Sequence, residues 1–358
     1  MKPMNAQEMQ LAYPFGEALP ELGTTLEVAP GVRWLRMPLP FQLDHINLWL
    51  LRDRIDADGV TKDGWTIVDC GITNDATRAA WETIFVNELQ GLPVLRVIVT
   101  HMHPDHMGLA HWLTEKWGVR LWVSATDYPA ARMASNGLAT IGGEATARFM
   151  ASHGLTDEAS QTSIKARTNY YADMVPQLPA SFRRLQEGDT LQIGGRAWRC
   201  HAGFGHAPEH IALHCAELNT LISGDMVLPR ISTNVSVHET EPESNPLMQY
   251  LDSIKRMKAL PAGTRVLPSH GRPFFGLHTR IDQLVAHHDE RFAEVMAACA
   301  EAPQHAAGLL MLLFKRQLDL HQTTFAMGES VAHLHALWLA GTLVRRLDGD
   351  GIYRFALP

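Results

Sequence analysis

Val94-Leu-Arg-Val-Ile-Val-Thr100 runs straight into His101-Met-His-Pro-Asp-His106. The first seven residues are an apolar, β-branched run of the kind buried on both faces of a largely parallel sheet. The six that follow carry three imidazoles and a carboxylate. Donors of that type suit zinc, iron or manganese, and no cysteine stands in or beside the motif to make a thiolate site. His101 and His103 are two apart, so an extended loop turns both to one side, where they hold one ion. Asp105 and His106 then turn toward a second position. With 19 histidines in the chain, a pair two apart carries little weight. The whole hexapeptide, placed directly after a buried strand, carries much more.

Upstream of the motif, Arg33–Met37, Ile46–Leu51 and Thr66–Asp69 read as strands. Asn74 and Asp75 offer N-caps to an amphipathic helix reaching about Leu89. Downstream, Gly108 to about Lys116 reads as a helix and Leu121–Val123 as a short strand. This alternation is the rhythm of the α/β class. From about Thr126 to Glu187 the pattern turns helical and irregular, broken by Gly142-Gly143 and Gly154, and reads as a helical insertion. Strands return at Thr190–Ile193, Ala197–Cys200, Ile211–Cys215 and Thr220–Ser223. Asn245-Pro246 opens a helix to about Lys258, an N-cap followed by proline at the first helical position. Arg265–Pro268 is the next strand and ends at Ser269-His270-Gly271.

The last part differs. Three helical stretches, at about Thr279–Ala300, Ala306–Lys315 and Gly328–Ala340, precede Leu343–Arg346 and Ile352–Phe355, which flank the hairpin turn Asp348-Gly349-Asp350-Gly351. That is the element order of a winged helix. The chain thus divides into 1–276, a large domain with the insertion at about 126–187 that carries the candidate metal ligands, and 277–358, a small winged-helix-like domain. Nucleic acid is not the expected partner. The net charge is −7, from 31 Lys and Arg against 38 Asp and Glu. The third helix, Gly328–Gly341, has no Lys or Arg to meet a phosphate. Packing, pocket closure or a homodimer contact suits this domain better. The N-terminus shows no apolar signal core, no stretch is long enough to span a membrane, and the four cysteines form no CxxC pair. A cytoplasmic protein acting on a small molecule is the expectation.

Thr100–His106, THMHPDH, resembles the signature of the metallo-β-lactamase superfamily, and four further motifs stand in that family's order. Asp69-Cys70-Gly71 resembles its DxG turn, and Gly205 to His210, GHAPEH, its GHxxxH segment. Ser223-Gly224-Asp225 resembles its GD strand end, and Ser269-His270-Gly271 its final HG. The match covers about residues 30–275. It implies a four-layer αββα sandwich with the ligands at one edge, and the C-terminal segment resembles the winged-helix-like tail of a branch that includes an endoribonuclease. Residue by residue, the resemblance implies that His101, His103 and His206 hold one metal, that Asp105, His106 and His270 hold the other, and that Asp225 bridges both. Asp69 would fix a ligand imidazole by hydrogen bond. The family's ligand falls at His206, which leaves His210 as a packing or supporting residue.

The function implied is that of a metal-dependent hydrolase with two divalent ions, zinc first and iron or manganese as alternatives. A metal-bridging hydroxide would attack an ester, thioester or lactone carbonyl, and Asp105 would also take or relay a proton. Asp225 resembles the glyoxalase II, lactonase and nuclease branches, since lactam-cleaving members of one subclass carry Cys there. No basic cluster for glutathione is evident. Two other readings stay open: a phosphodiesterase or ribonuclease, and a mononuclear iron oxygenase of persulfides that uses only the first site. Arg230 either meets an anionic substrate group or makes a surface ion pair. Tyr170 and Tyr171, in the insertion, are candidate substrate contacts on a pocket wall or lid.

Overall fold

Leu26–Ala29 (β1), Val32–Pro38 (β2), His45–Ala57 (β3), Val60–Val68 (β4), Val94–Ile98 (β5), Leu121–Ser124 (β6) and Phe182–Leu185 (β7) hydrogen-bond side by side, in that order, into one sheet. The pairs up to β3–β4 are antiparallel, and those from β4–β5 onward are parallel. Thr190–Ile193 (β8), Arg196–Gly203 (β9), His210–Cys215 (β10), Thr220–Gly224 (β11) and Arg265–Pro268 (β12) make a second sheet. It is antiparallel except for the parallel pair β11–β12. The computed structural model describes residues 4–57, 59–138 and 142–358.

The period-two alternation of strand side chains decides how the layers stack. Trp34, Trp49, Val68 and Ile98 of the first sheet meet Trp198, Ile211, Leu213, Ile222 and Leu267 of the second in a shared core. Each indole takes roughly 150–250 Å² out of water, on the order of 4 kcal/mol of apolar burial. The alternate residues Leu35, Leu48, Leu50 and Val97 face outward. They are covered by Trp81 and Ile84 of Asp75–Asn87 (α1), Met107 of Pro104–Met107 (α2) and Leu113 of Ala110–Trp117 (α3). On the far side, Ala212, Leu221 and Val266 pack against Leu251 and Ile254 of Pro246–Arg256 (α8) and Ile281 and Leu284 of Leu277–Glu301 (α9). Helix, sheet, sheet, helix is the resulting order of layers. Among the described residues no helix is long and apolar enough to cross a membrane.

Several elements differ from the sequence reading. The stretch read as a helical insertion over about 126–187 contains Asp127–Ser135 (α4), Gly143–Ser152 (α5), Glu158–Ala166 (α6) and Tyr170–Met174 (α7), but it ends in β7. It is therefore the crossover between two paired parallel strands. Its closing strand, Phe-Arg-Arg-Leu, escapes detection because an edge strand exposes one row and tolerates charge there. The β3–β4 hairpin reaches well past Leu51. Its outer half is charged, and buried Asp53 accepts from Thr66 Oγ1 and pairs with Arg96. The short strand β1 has no counterpart in the reading. Asn74 caps α1 by accepting from the Thr77 N–H at 2.7 Å. Asn245 makes no such bond, and only the Pro246 half of that signal operates.

After α9 come Leu310–Phe314 (α10), Leu320–Leu339 (α11) and the hairpin Val344–Leu347 (β13) and Tyr353–Ala356 (β14). Val331 and Leu334 of α11 belong to the same apolar cluster as α8 and the second sheet. The C-terminal segment thus shares its core with the fourth layer. Gly328 lets α11 approach closely, since a Cβ there would stand 2.5 Å from the Ser236 side chain.

Candidate metal centre

Every strand that carries a candidate ligand ends at the same edge of the sandwich. β5 runs out into His101 and His103, and Pro104 then starts α2 at its first position, with Asp105 and His106 following. His206 lies in the turn from β9 to β10, Asp225 just after β11 and His270 just after β12. Gly224 is required before Asp225. Its φ is +53°, and a Cβ would lie 2.0 Å from His210 Nε2. Gly205, with φ +95°, brings the His206 turn so close to α8 that a Cβ would lie 2.1 Å from the Pro246 carbonyl.

His101, His103 and His206 gather their ligand atoms within 4.8 Å of one another, as do Asp105, His106 and His270. His101 Nε2 stands 3.0 Å from His103 Nδ1 and 3.2 Å from His206 Nε2. Two nitrogens on one tetrahedral zinc, at about 2.0–2.1 Å each, are separated by about 3.3 Å. Asp225 touches both triads, at 3.3 Å from His206 Nε2, 3.5 Å from His270 Nε2 and 3.5 Å from His106 Nε2. Asp105 Oδ2 is 3.4 Å from His270 Nε2 and 3.7 Å from His106 Nε2. His106 Nε2 and Asp225 Oδ1 are buried and have no hydrogen-bond partner among the described residues. Buried polar atoms are normally satisfied. Two orphans facing each other in a nest of N and O donors fit a divalent cation.

The outer nitrogens of these rings are fixed. His106 Nδ1 donates to Asp69 Oδ2 at 2.8 Å, His206 Nδ1 to the Asn234 carbonyl at 2.7 Å, and His270 Nδ1 to the His45 carbonyl at 2.8 Å. His101 Nδ1 lies 3.1 Å from Thr100 Oγ1. Each bond leaves the other nitrogen turned to the centre, the supporting arrangement typical of metal-bound histidine. The charges divide the site. Burial pushes His101 well below the usual imidazole range and His103 down to about 3, with the neighbouring imidazoles adding to it. Burial also opposes charge on His270, but Asp225 and Asp105 outweigh it and hold the group up at about 10. For Asp105, His106 and His270 outweigh burial and draw the carboxyl down to about 2.

The sequence matches the metallo-beta-lactamase superfamily profile over residues 43–270 and the metallo-beta-lactamase-like C-terminal domain profile over 292–358. The chain belongs to the metallo-β-lactamase superfamily. A beta-lactamase domain protein from Burkholderia ambifaria is 56% identical in sequence. The similarity covers 99% of this chain and all of that one, with a TM-score of 0.93. A metallo-beta-lactamase family protein from Thermus thermophilus is 28% identical over 93% of this chain and all of that one, with a TM-score of 0.75. The probable metallo-hydrolase YqjP of Bacillus subtilis is 23% identical over 323 residues, which is 89% of this chain and 96% of that protein. The fold is that of the superfamily, the small C-terminal domain is present, and the protein is a hydrolase of a superfamily that binds divalent metals.

Around this superfamily centre, the remaining candidates fall in different places. Asp69 lies beside His106, and His210 Nε2 accepts the Asp225 N–H at 3.2 Å. Arg230 is ion-paired at 3.2 Å with the buried Glu8. The guanidinium that grips the segment after Asp225 is Arg280 of α9. It is buried and donates to the carbonyls of Leu228 at 2.6 Å and Ile231 at 2.9 Å. Tyr171 faces inward, away from the surface that a substrate would reach. It is 1% exposed, and its hydroxyl donates to the Met102 carbonyl, which steadies the His101–His103 loop from behind. Tyr170 is half-buried, and its hydroxyl lies 2.8 Å from His321 Nε2 of α11, whose ring stacks on Phe41.

Other supporting residues escape a sequence reading. Buried Asn47 donates to the carbonyls of Pro268 at 2.8 Å and Gly271 at 2.9 Å, and it accepts from Trp34 Nε1. It stitches the first sheet to the strand end that carries His270. Glu329 of α11 reaches toward Asn234, whose Nδ2 lies 3.4 Å from Glu329 Oε2. Burial pushes the Glu329 carboxyl up to about 7, against Asn234 and Arg291, which lower it. A raised carboxyl pKa means that ionisation costs the folded state. The stabilising contribution is complete below the unfolded pKa, about 4.3, and is lost as pH rises through 7. Glu329→Gln is therefore expected to exceed wild type in stability at pH 8 by on the order of 2 kcal/mol, and to show no such gain at pH 4. Urea titrations at the two pH values measure this.

Proposed function

We propose that the chain is a dinuclear hydrolase of an ester, thioester or lactone, with zinc as the first-choice metal and iron or manganese as alternatives. The observation that carries this reading is the position of Asp225, within 3.5 Å of His106, His206 and His270 and so in contact with both triads. His101, His103 and His206 would hold one ion, and Asp105, His106 and His270 the other. Two divalent ions so held supply a Lewis acid and a water of lowered pKa. The chain's own residues do the rest. The three outer hydrogen bonds, accepted by the Asp69 carboxylate and the Asn234 and His45 carbonyls, keep the imidazoles aimed at the centre. Asp105, half-buried and 3.4 Å from His270 Nε2, would also relay a proton between water and the leaving group. The second triad favours this reading over a mononuclear oxygenase. The net negative charge and the pairing of Arg230 with Glu8 favour a carbonyl substrate over a phosphodiester.

The test is a substrate panel on the zinc-, manganese- and iron-loaded full chain: thioesters, lactones, a bis-aryl phosphate and a persulfide. The expected result is hydrolysis of a thioester or lactone that a chelator stops. Faster turnover of the bis-aryl phosphate, or oxygen consumption with the persulfide, would replace the reading.

A further inference from the structure

We propose that Asp127, the first residue of α4, is a positioning residue that holds the two ligand loops of the metal centre in register with each other. Its carboxylate accepts the main-chain N–H of Met102 at 2.7 Å on one oxygen and of Glu209 at 2.6 Å on the other. Met102 lies between His101 and His103. Glu209 lies between His206 and His210. The two loops come from different sheets, one from the end of β5 and the other from the turn between β9 and β10. Asp127 itself follows β6, so a third element bridges the pair.

The register matters because His101 and His206 must meet at one point. Their Nε2 atoms are 3.2 Å apart, and the rings of His103 and His206 stand at 90° with centroids 4.5 Å apart. Asp127 is fully buried, and the Ser124 hydroxyl donates to it at 3.1 Å. The groups that act on it most strongly are the Met102 and Glu209 N–H groups, Ser124 and the Glu209 carboxylate, and none of these is cationic. A carboxylate buried without a cation is costly. What it supplies is geometric: two oxygens that satisfy two converging N–H donors at once. An amide offers one acceptor and would set its NH₂ against the other donor. The same two segments are pinned again nearby, Met102 by Tyr171 and Glu209 by Thr126, whose hydroxyl donates to Glu209 Oε2 at 2.8 Å.

The role rests on the metal-centre reading, and the test separates the two. Zinc affinity is measured by competition with a chromogenic chelator on the full-length wild type, Asp127→Ala, Asp127→Asn and Tyr128→Phe, with kcat, KM and melting temperature recorded for each. Tyr128 lies on the same helix and donates to the Pro179 carbonyl at 2.6 Å, away from both loops. Asp127→Ala is expected to weaken zinc by about 10–100-fold, the usual cost of losing an outer-shell partner. Its kcat should fall more than its KM rises. Asp127→Asn should lie between it and wild type, and Tyr128→Phe should lose melting temperature but not zinc affinity. Wild-type zinc affinity in Asp127→Ala, or equal weakening in Tyr128→Phe, would overturn the positioning role and leave the metal reading intact. A wild type that takes up no zinc, and no manganese or iron when these are supplied instead, would overturn both.

Discussion

Asp225→Ala is expected to lower kcat/KM by roughly 10³-fold or more, at least about 4 kcal/mol of lost transition-state stabilisation. The reason is geometric. Asp225 is the carboxylate within reach of both triads, so its loss removes a donor from each position at once. The variant should still fold. The Asp225 main chain is held independently of its side chain, with its N–H donating to His210 and its carbonyl accepting from Thr233. The expected signature is a near-native melting temperature in the metal-free protein with metal content well below wild type. Retention of a tenth or more of wild-type turnover would contradict a shared role for this residue.

Asp69→Ala is the second large effect, and it should differ in kind by striking stability as well. Asp69 is fully buried, accepts the Thr100 N–H at 2.7 Å and pairs with His106 at 2.8 Å. Removing one member of a buried pair costs about 3–5 kcal/mol, because the partner is left without compensation. His106 also loses the bond that aims its Nε2 at the centre, so metal affinity should fall by about 10–100-fold. Backbone strain adds to this, since Asp69 has φ +65°, where alanine is disfavoured. Asp69→Asn tolerates that backbone better, but it offers one acceptor where two donors converge, and it should fall between alanine and wild type. Chemical denaturation and chelator competition separate the stability loss from the affinity loss. Unchanged affinity in both variants would show that Asp69 serves the fold alone.

Much of the layout is legible because strands and ligands share one grammar. A β-branched run ending in His or Asp marks a strand that delivers a side chain to the sheet edge, as at Thr100-His101, Gly224-Asp225 and Ser269-His270. His206 follows no such run and is legible only through the resemblance of its GHAPEH segment to the family's motif; it lies with the other six candidate ligands. What cannot be read acts through the main chain or through distant partners. The carbonyls of His45 and Asn234 orient His270 and His206, and a carbonyl leaves no mark on residue type. Asp127 looks like an ordinary polar residue until the fold brings two ligand loops to it, and Asn47 until the end of β12 reaches it. Arg230 reads as a cation near the site, and its pairing with Glu8, far away in sequence, emerges only in the fold. Tyr171, an aromatic in a helical stretch near the site, reads as a wall, and its burial and its bond to the Met102 carbonyl emerge only in the fold. The missed strand β7 and the outer half of β3 and β4 share one cause: partly exposed strands carry charge that breaks the apolar pattern.

The most direct test of the dinuclear centre is elemental analysis of the full chain, purified without added metal or an affinity tag and measured again after metal is supplied and excess removed. Two ions per chain, falling to one or fewer in Asp225→Ala, is the expected result. A wild type that never exceeds one ion per chain, even after reloading, would contradict the dinuclear site.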